Sequence, residues 1–464
     1  MICLTIASCK IPAIMQTTEN RSVPKSYNGN SDTTNISGMQ WRNFFADRNL
    51  VSLIDTALKN NQELLITLQE IEIAKNDIRF RQGALVPSVG AKFGMGVDKV
   101  GRYTSQGAGD ASTEIVPGKE MPDPLMDYTA RAYVNWEVDI WRKLHNAKKA
   151  AVSRYLSTIE GKNFVLSTLI AEVANSYYEL LALDNQLEIV KQNIELQKNA
   201  LEIVKVQKEA SRVSELAVQK FQAEVLNSQS MEFEIVQKVR ETENRINFLL
   251  ARYPQEIRRD KNSFFSLTPA AISSGLPSQL LINRPDVRQA ELELTAAKLD
   301  VKVARAEFYP SLGISAGLGF QAFKPSYLVK FPESMLYSLA GDLAGPLINR
   351  NAIKAEFNNA NARQLQVIYN YERTILNAYL EVSTQLSNIS NLEKSYEFRS
   401  KKVDALNRSI DIANDLFKSA RADYFEVLMT QRDALESKLE LIETKKKQFN
   451  AVTNIYQELG GGWK

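Results

Sequence analysis

The sequence predicts a mostly α-helical protein with a transmembrane β-barrel, built from two similar halves. Three patterns carry this prediction: a long internal repeat, four runs of two-residue alternation, and two proline-free stretches with a seven-residue apolar repeat. The segment 64–96 reappears without a gap as 287–319, an offset of 223 residues (310 − 87, from Pro87 to Pro310). So long a period indicates one large duplicated unit and not a solenoid of short repeats.

Each half is predicted to run helix, strand, strand, long helix, long helix. We assign the first repeat to residues 41–260 and the second to residues 261–464. Residues 1–8 are interpreted as a signal-peptide remnant and residues 9–40 as a lipid-anchored linker of polar, flexible composition.

The N-terminus ends its apolar stretch in a pattern similar to a bacterial lipobox. Ile6-Ala7-Ser8 precedes Cys9, the position at which lipoproteins carry the acyl (palmitate) chains, so Cys9 is the predicted lipidation site. The positively charged start of a secretory signal is missing, which a start codon further upstream would explain. An ordinary apolar N-terminus is the alternative interpretation.

Four runs alternate apolar residues with small or polar ones, at about 87–97, 128–140, 310–321 and 335–345. Each has the length of a tilted strand that crosses a bilayer, roughly nine to eleven residues. One face of such strands meets lipid and the other faces a water-filled lumen. The lumen-facing candidates are Lys92, Arg131, Tyr133, Glu137, Asp139 and Asp342.

Half-buried strands of a soluble sandwich alternate in the same way, so this alternative stays open. Four strands cannot close a barrel with a lumen, which needs at least about eight strands, and oligomerisation would have to supply the rest. The connecting segments 98–127 and 322–334 are rich in Gly, Ser, Pro and charge, as expected of exposed loops.

Two stretches, 142–208 and 351–418, contain no internal proline and only one glycine, Gly161. Each predicts a nearly continuous helix about 100 Å long at roughly 1.5 Å per residue. Apolar residues recur every seventh position, which predicts coiled-coil packing; a cytoplasmic rod would share these heptads but would leave the strands unexplained. The two seams align at an offset of 202 (375 − 173) and comprise Leu166, Val173, Leu180, Leu187, Ile194 and Leu201, and Ile368, Ile375, Val382, Ile389, Tyr396, Val403, Ile410 and Phe417.

Short polar turns separate these helices from returning helices at 214–253 and 423–459, with Ser214 and Asp423 as predicted N-caps. The returning helices are shorter than their partners. Earlier helices at 43–84 and 284–307 are predicted to make up the difference, giving four helical struts of which two are spliced.

Composition excludes several classes of function. The chain has 57 Lys and Arg against 54 Asp and Glu, so it lacks the basic field of a nucleic-acid binder. Cys3, Cys9 and His145 are its only cysteines and histidine, too few for a Cys/His metal site or a Ser/His/Asp triad. We therefore predict no enzymatic activity, no metal site and no cofactor, with His145 a solvated helix residue.

Three ordered motifs closely resemble TolC-like outer-membrane factors of resistance-nodulation-division efflux pumps. The first is residues 280–291 with Arg284-Pro285-Asp286, continuing to residue 311; the others are residues 136–141 and the terminal residues 459–463. The resemblance implies a homotrimer in which each chain gives four strands to a twelve-stranded outer-membrane barrel and four struts to a periplasmic tunnel. It also implies a lipid-anchored outer-membrane duct for small molecules (drugs, toxic compounds or metal ions).

The expected partners, by the same resemblance, are a periplasmic adaptor (membrane fusion) protein and an inner-membrane transporter. A type I protein-secretion channel is the nearer alternative, and a soluble coiled-coil scaffold the more distant one. The helix turns would lie at the periplasmic tip, which polar contacts between neighbouring helix ends can hold closed. Met429 stands where relatives commonly carry a constricting aspartate, so Glu426 or an apolar constriction would replace it. The gate candidates are Arg212, Ser214, Arg421, Asp423, Tyr424, Glu426 and Met429, and an ordinary solvated helix hairpin is the alternative.

Overall fold

The computed structural model describes residues 12–14, 17–27, 33–261, 263–345, 350–419 and 421–464. The chain divides into two compact units. Unit 1 comprises Met1–Thr18, Glu72–Leu156 and Leu292–Tyr369, and unit 2 comprises Glu19–Ile71, Ser157–Glu291 and Asn370–Lys464. Cys9 and the predicted leader 1–8 lie outside the described residues.

Unit 1 contains an antiparallel sheet in the order β1-β4-β5-β6. Its strands are β1 (Ser88–Asp98), β4 (Leu125–Val138), β5 (Ser311–Ala322) and β6 (Met335–Ala344). All four predicted strands are present within a few residues of their expected bounds. The largest difference is in β4, which begins three residues before the expected 128 and ends before Asp139.

The two connecting segments expected to be loops carry short elements of their own. Between β1 and β4 lie α4 (Ser105–Asp110) and a small hairpin of β2 (Glu114–Val116) and β3 (Lys119–Glu120). Between β5 and β6 lies α9 (Pro325–Leu328). The Thr104 hydroxyl accepts a hydrogen bond from Gly107 N and caps α4, a local interaction that composition does not reveal.

The long helices match the proline-free stretches. They are α5 (Lys143–Glu209) and α6 (Glu215–Leu249), then α10 (Asn351–Lys418) and α11 (Tyr424–Glu458). The helix α6 ends four residues before the expected 253, because Ala251 adopts a φ of 52° and Arg252 N donates to Asn247 O. No residue of either predicted seam is exposed, as heptad packing requires.

In unit 2 the helices meet in apolar clusters. One cluster contains Val190, Ile194 and Ile235 of the first helix pair and Leu435 of α11. A second cluster, which we call the tip cluster, joins the ends of the same helices and comprises Leu201, Val204, Ala217, Val218, Phe221, Val225 and Leu428. Burial of these side chains, at about 1.5–3 kcal/mol for a large one, stabilises the helix pairs.

The prediction of one continuous helix at 43–84 is wrong. The structure has three pieces, α1 (Trp41–Phe44), α2 (Arg48–Asn60) and α3 (Gln62–Gly83). The break before α2 is capped by Asp47, which accepts from Asn49 N. The break before α3 is fixed by buried Asn61, whose amide donates to Leu249 O and accepts from Leu64 N. Side-chain caps of this kind compete with helix continuation.

The second early helix is α8 (Pro285–Ala306), preceded by the short α7 (Leu280–Asn283) and a 3-10 turn at Pro277–Gln279. Arg284, expected as its first residue, is instead extended, with φ −81° and ψ 120°. A residue before proline is disfavoured in the helical region, which explains the boundary.

The duplication is visible in the element bounds. Both ends of α3 correspond to those of α8 at the offset of 223 (285 − 62 and 306 − 83). The ends of α5 and α10 correspond at 209 (418 − 209), and the starts of α6 and α11 also at 209 (424 − 215). The offset of 202 predicted from the heptad seams is seven residues smaller than this observed offset of 209. The seams alone could not distinguish the two values, because a seven-residue pattern matches itself at every seventh position.

The interval 9–40 is predicted to be a lipid-anchored, flexible polar linker, but its described residues from Glu19 onward are packed in unit 2. Tyr27 is 1% exposed and stacks on Tyr379 with ring centroids 5.5 Å apart. The Arg21 guanidinium donates to Glu291 at 2.7 Å and lies over the Tyr371 ring. A 3-10 turn at Ile36–Gly38 is capped by Asn35. Of the helices that the structure describes, none combines the length and apolar character needed to span a bilayer.

Candidate functional site

The register of the sheet sorts its side chains onto two faces. Lys92 lies directly opposite Arg131, and Glu137 and Asp342 both lie opposite Gly313. Since opposite residues in an antiparallel pair share a face, these charges lie together on what we call the polar face. Tyr133 shares this face, and Asp139 follows β4 just beyond its last residue. Sequence reasoning missed Asp98 and Asp127, which the register also places there.

The opposite face, which we call the apolar face, carries no charged residue in any of the four strands. Its large side chains are nevertheless exposed in the single chain: Phe93 is 82% exposed and Leu339 is 80% exposed. Contiguous exposed apolar surface of this kind marks a surface that meets lipid or another protein.

Glycines of the polar face leave room for their cross-strand neighbours. A Cβ at Gly90 would come within 2.5 Å of the Tyr133 ring, so the ring occupies the space that a side chain would fill. A Cβ at Gly319 would lie 2.4 Å from the Arg131 Cβ. These two glycines, in β1 and β5, therefore make room for the large side chains of β4 that lie opposite them.

At the end of β4, the chain turns into α5 through a polar cluster. The Asp139 carboxylate accepts from the backbone N of Leu144 and His145 and contacts His145 Nδ1 at 2.5 Å. Burial acts to raise the pKa of Asp139, but the His145 and Leu144 hydrogen bonds outweigh it and lower the pKa below its usual range. His145 is exposed, as predicted, but acts as a partner of Asp139.

Beside this turn, the Lys143 ammonium contacts Glu137 at 2.6 Å and Glu307 at 3.6 Å. Burial alone would lower the pKa of Lys143, and the two carboxylates raise it instead. A polar cleft of about 450 Å³ opens next to it on unit 1, lined among others by Asn135, Glu137, Gly313, Ser315 and Asp342.

At the turn between α10 and α11, only part of the expected gate cluster has partners in the chain. Asp423 caps α11 by accepting from Phe425 N at 3.1 Å, as predicted. Tyr424 packs on the tip cluster, and Met429 is half-buried. In the part of the chain that the structure describes, Arg421 and Glu426 form no ion pair, and both side chains are exposed.

The turn between α5 and α6 differs from its expected form. Ser214 occupies the predicted N-cap position, but its side chain makes no capping hydrogen bond. Arg212 is exposed and has no ion-pair partner among the described residues. An ion pair that sequence reasoning missed, Lys208 with Glu215 at 2.7 Å, closes the turn instead. The hydrogen bond between them raises the pKa of Lys208 and lowers that of Glu215.

The signature residue Arg284 has a buried side chain that lies at the centre of an ionic cluster in unit 2. Its guanidinium donates to both carboxylate oxygens of Asp286, at 3.0 and 2.7 Å, and contacts Glu381 at 2.8 Å. It also donates to the backbone O of Glu458 at 3.1 Å. Burial opposes its charge, but Asp286 and Glu381 raise the pKa of Arg284 above its ordinary value.

Glu458 is the member of this cluster that no sequence pattern indicated. Its Oε2 is buried without a hydrogen-bond partner among the described residues, and Gln385 donates to Oε1 at 3.5 Å. Burial and the nearby Glu381 raise the pKa of Glu458 to about 7, against the opposing effects of Arg284 and Gln385.

The terminal motif packs on the signature motif. Trp463 Nε1 donates to Asn283 O at 3.3 Å, and a Cβ at Gly460 would lie 2.4 Å from the same oxygen. Gly460 has a φ of 88°, which favours glycine. Asn283 and Trp463 are 180 residues apart in sequence, and the two motifs thus form one site. Among the described residues, no group of three or more His, Cys, Asp or Glu side chains is placed to hold a metal ion.

Comparison with known proteins agrees with this architecture. The outer membrane efflux protein family matches residues 53–252 and 276–461. The chain is 27% identical to the pyoverdine export outer membrane protein OpmQ of Pseudomonas aeruginosa, over 94% of this chain and 89% of OpmQ. It is 26% identical to SilC of Salmonella typhimurium, a probable outer membrane lipoprotein (94% and 92%), and 25% identical to the cation efflux system protein CusC of Escherichia coli O6:H1 (92% and 89%).

Solved structures share the fold. A crystal structure of CusC superposes with a TM-score of 0.83 at 22% identity, covering 97% of this chain and 99% of that chain. The open state of the Neisseria gonorrhoeae MtrE outer membrane channel gives 0.84 at 19% identity, covering 97% and 98%. This confirms the predicted fold, a sheet of four long strands combined with long helices.

A sheet with one uncharged exposed face, joined in the chain to long heptad helices, is the architecture expected of an outer-membrane channel protein. This chain belongs to the outer membrane efflux protein family. It is an outer-membrane channel component of an efflux system, located in the outer membrane and extending into the periplasm. Membership in this family implies adaptor and inner-membrane transporter partners.

Proposed function

We propose that three copies of this chain form one channel, with the polar face of each sheet lining the lumen and the apolar face meeting lipid. The sorting of charge onto a single face is the observation that carries this proposal. In the described residues, β1 and β6 each pair on one side only, so the sheet has two open edges. The unpaired backbone N–H and C=O groups of an edge strand can hydrogen-bond to a strand of another chain. Three four-stranded sheets paired edge to edge in this way close a barrel of twelve strands.

Neighbouring residues of β6 offer a matched test of which face meets lipid. Leu339 belongs to the apolar face and Ser338 to the polar face. An arginine in place of Leu339 costs about 2–4 kcal/mol per chain at the bilayer midplane, whereas a lumen-facing arginine stays in water. We expect Leu339→Arg to abolish assembly into the outer membrane and Ser338→Arg to leave it intact, as measured by membrane fractionation. Equal behaviour of the two variants would contradict the proposal.

The turns between the long helices form the gate of this channel. Arg212 and Arg421 are exposed cations without an ion-pair partner among the described residues, and Glu426 is an exposed acid in the same state. Groups of opposite charge at the helix ends of neighbouring copies can pair and hold the tip closed. Ser214, Asp423 and Tyr424 shape the turns, and half-buried Met429 leaves the constriction without an acidic ring at that level.

The cargo belongs to the class of small molecules or metal ions, with no catalytic step in the duct. The relatives named for pyoverdine export and cation efflux support this class. The cognate partners are a resistance-nodulation-division transporter and a periplasmic adaptor. Deletion of the gene should sensitise the cell to toxic small molecules or metals without impairing secretion of any protein. Loss of a secreted protein instead would identify a type I secretion channel.

The lipid anchor is tested separately from the duct. We propose acylation at Cys9, which the likeness to the lipoprotein SilC supports. Palmitate labelling should mark the wild-type chain and not Cys9→Ser. A labelled Cys9→Ser protein would contradict this site, while conductance of either protein reports on the channel alone.

A further inference from the structure

The two basic residues of the polar face form a single row. Lys92 lies directly opposite Arg131, and the row continues across the sheet to Gly319 and Leu336. No acidic residue lies in this row, and within the described residues neither basic side chain has a hydrogen bond or an ion pair. Both are exposed.

A like-charged pair directly across two strands is unfavourable, because the two cations repel and nothing local offsets them. The sheet nevertheless has room for Arg131 at this level, because its cross-strand neighbour Gly319 has no side chain. A Cβ at Gly319 would lie 2.4 Å from the Arg131 Cβ. A pair that costs stability and is free of protein partners is suited to an external anion.

The acids of the polar face lie in other rows. Asp127 is four residues from Arg131, and Glu137 is six residues away on the same strand. At roughly 3.3 Å per residue these spacings are about 13 and 20 Å. The Debye length at physiological ionic strength is only about 8 Å, so the acidic rows do not neutralise the basic one. Glu137 is in addition engaged by Lys143.

We propose that the Lys92–Arg131 pairs form an anion-binding belt in the lumen of the barrel, which slows or retains polyanionic solutes in transit. This inference rests on the proposed trimer and lumen-facing polar face. Three copies would place six cations at one level, with acidic rows above and below. Basic and acidic side chains lie at different levels of the lumen. The charge at each level, and not the net charge of the whole lumen, therefore sets the ion selectivity of this part of the duct.

The test measures block of single channels in a planar bilayer by inositol hexakisphosphate, added to each side in turn. We expect micromolar to millimolar block of the wild type from the barrel side, and at least a tenfold weaker block of Lys92→Gln/Arg131→Gln. The reversal potential in a KCl gradient should shift towards cation selectivity in the same variant. A matched control, Arg102→Gln/Lys119→Gln, removes two exposed cations per chain from the segment between β1 and β4 and should change block less than twofold.

A second variant tests whether loss of block in the double variant results from misfolding and not from loss of charge. Lys92→Glu faces Arg131 and forms a cross-strand ion pair, so it cancels the charge of the row while favouring the sheet. It should lose block as the double variant does. Conducting variants that are blocked as strongly as the wild type overturn the belt, whereas a wild type that forms no channel overturns the proposed function itself.

Discussion

At the scale of single residues, Arg284 gives the signature motif a physical meaning. Its planar guanidinium binds Asp286 in a two-point contact while reaching Glu381 and the carbonyl of Glu458. Three elements, α8, α10 and α11, are thereby tied to one side chain. Lysine, with its single point of charge, cannot reproduce that geometry.

Replacing Arg284 by alanine should destabilise the protein by about 1–3 kcal/mol, because it leaves half-buried Asp286 and the backbone carbonyl of Glu458 without their hydrogen-bond donor. Thermal unfolding in detergent measures the effect, and Arg284→Lys should recover only part of the loss. Arg363→Ala serves as the control, since the Arg363 side chain is 70% exposed and that of its partner Glu356 is 60% exposed. Similar stability of the Arg284 and Arg363 variants would contradict this assignment.

Glu458 makes stability depend on pH. Its pKa of about 7 in the folded chain lies above that of an unfolded carboxyl, so folding favours the protonated form. The contribution is full below about pH 4.3, the unfolded value, and is lost as pH rises through 7. At about 1.36 kcal/mol per pKa unit, the loss is on the order of 3–4 kcal/mol.

The comparison of wild type with Glu458→Gln isolates this group. The neutral amide should give a flatter profile of melting temperature between pH 5 and 8, and a higher value than wild type at pH 8. Parallel profiles of the two proteins would show that Glu458 does not titrate in this range.

At the scale of elements, the heptad pattern predicted both long helices, and α10 has the expected bounds. The turns were harder to predict. Ser214 and Asp423 are both residue types favoured at the N-cap, and both occupy that position. Only the Asp423 side chain makes the capping hydrogen bond, and the ion pair of Lys208 with Glu215 closes the other turn. Residue type alone does not determine which polar side chain makes the hydrogen bond in a turn, because that depends on the local backbone geometry.

The tip turns predict a change in gating. Each exposed ion pair across copies is worth about 0.2–1 kcal/mol, so removing three of them should raise the open fraction about threefold or more. Arg421→Ala should therefore increase conductance in bilayers. Arg408→Ala, which removes an exposed arginine of α10 away from the turn, should leave the conductance unchanged. An Arg421 variant with wild-type conductance would remove this residue from the gate.

At the scale of the whole molecule, the open edges of the sheet predict an obligate assembly. Detergent-purified protein should have the mass of three chains of 52.3 kDa, as measured by native mass spectrometry. A stable monomer would leave β1 and β6 unpaired in the bilayer, where each unsatisfied backbone group costs several kcal/mol. Detection of a monodisperse monomer with native fold would contradict the trimer.

Much of the architecture followed from the sequence alone, because the spacing of apolar residues along a chain reflects the geometry of strands and helices. Alternation every two residues, recurrence every seven and a repeat after 223 residues predicted the strands, the long helices and the duplication. Tertiary structure decided what depends on contacts between distant residues. It broke the first early helix at Asp47 and Asn61, packed Tyr27 of the linker, and gathered Glu381 and Glu458 around Arg284. It also placed Lys92 opposite Arg131, since register is fixed by strand pairing and alternation only assigns a face.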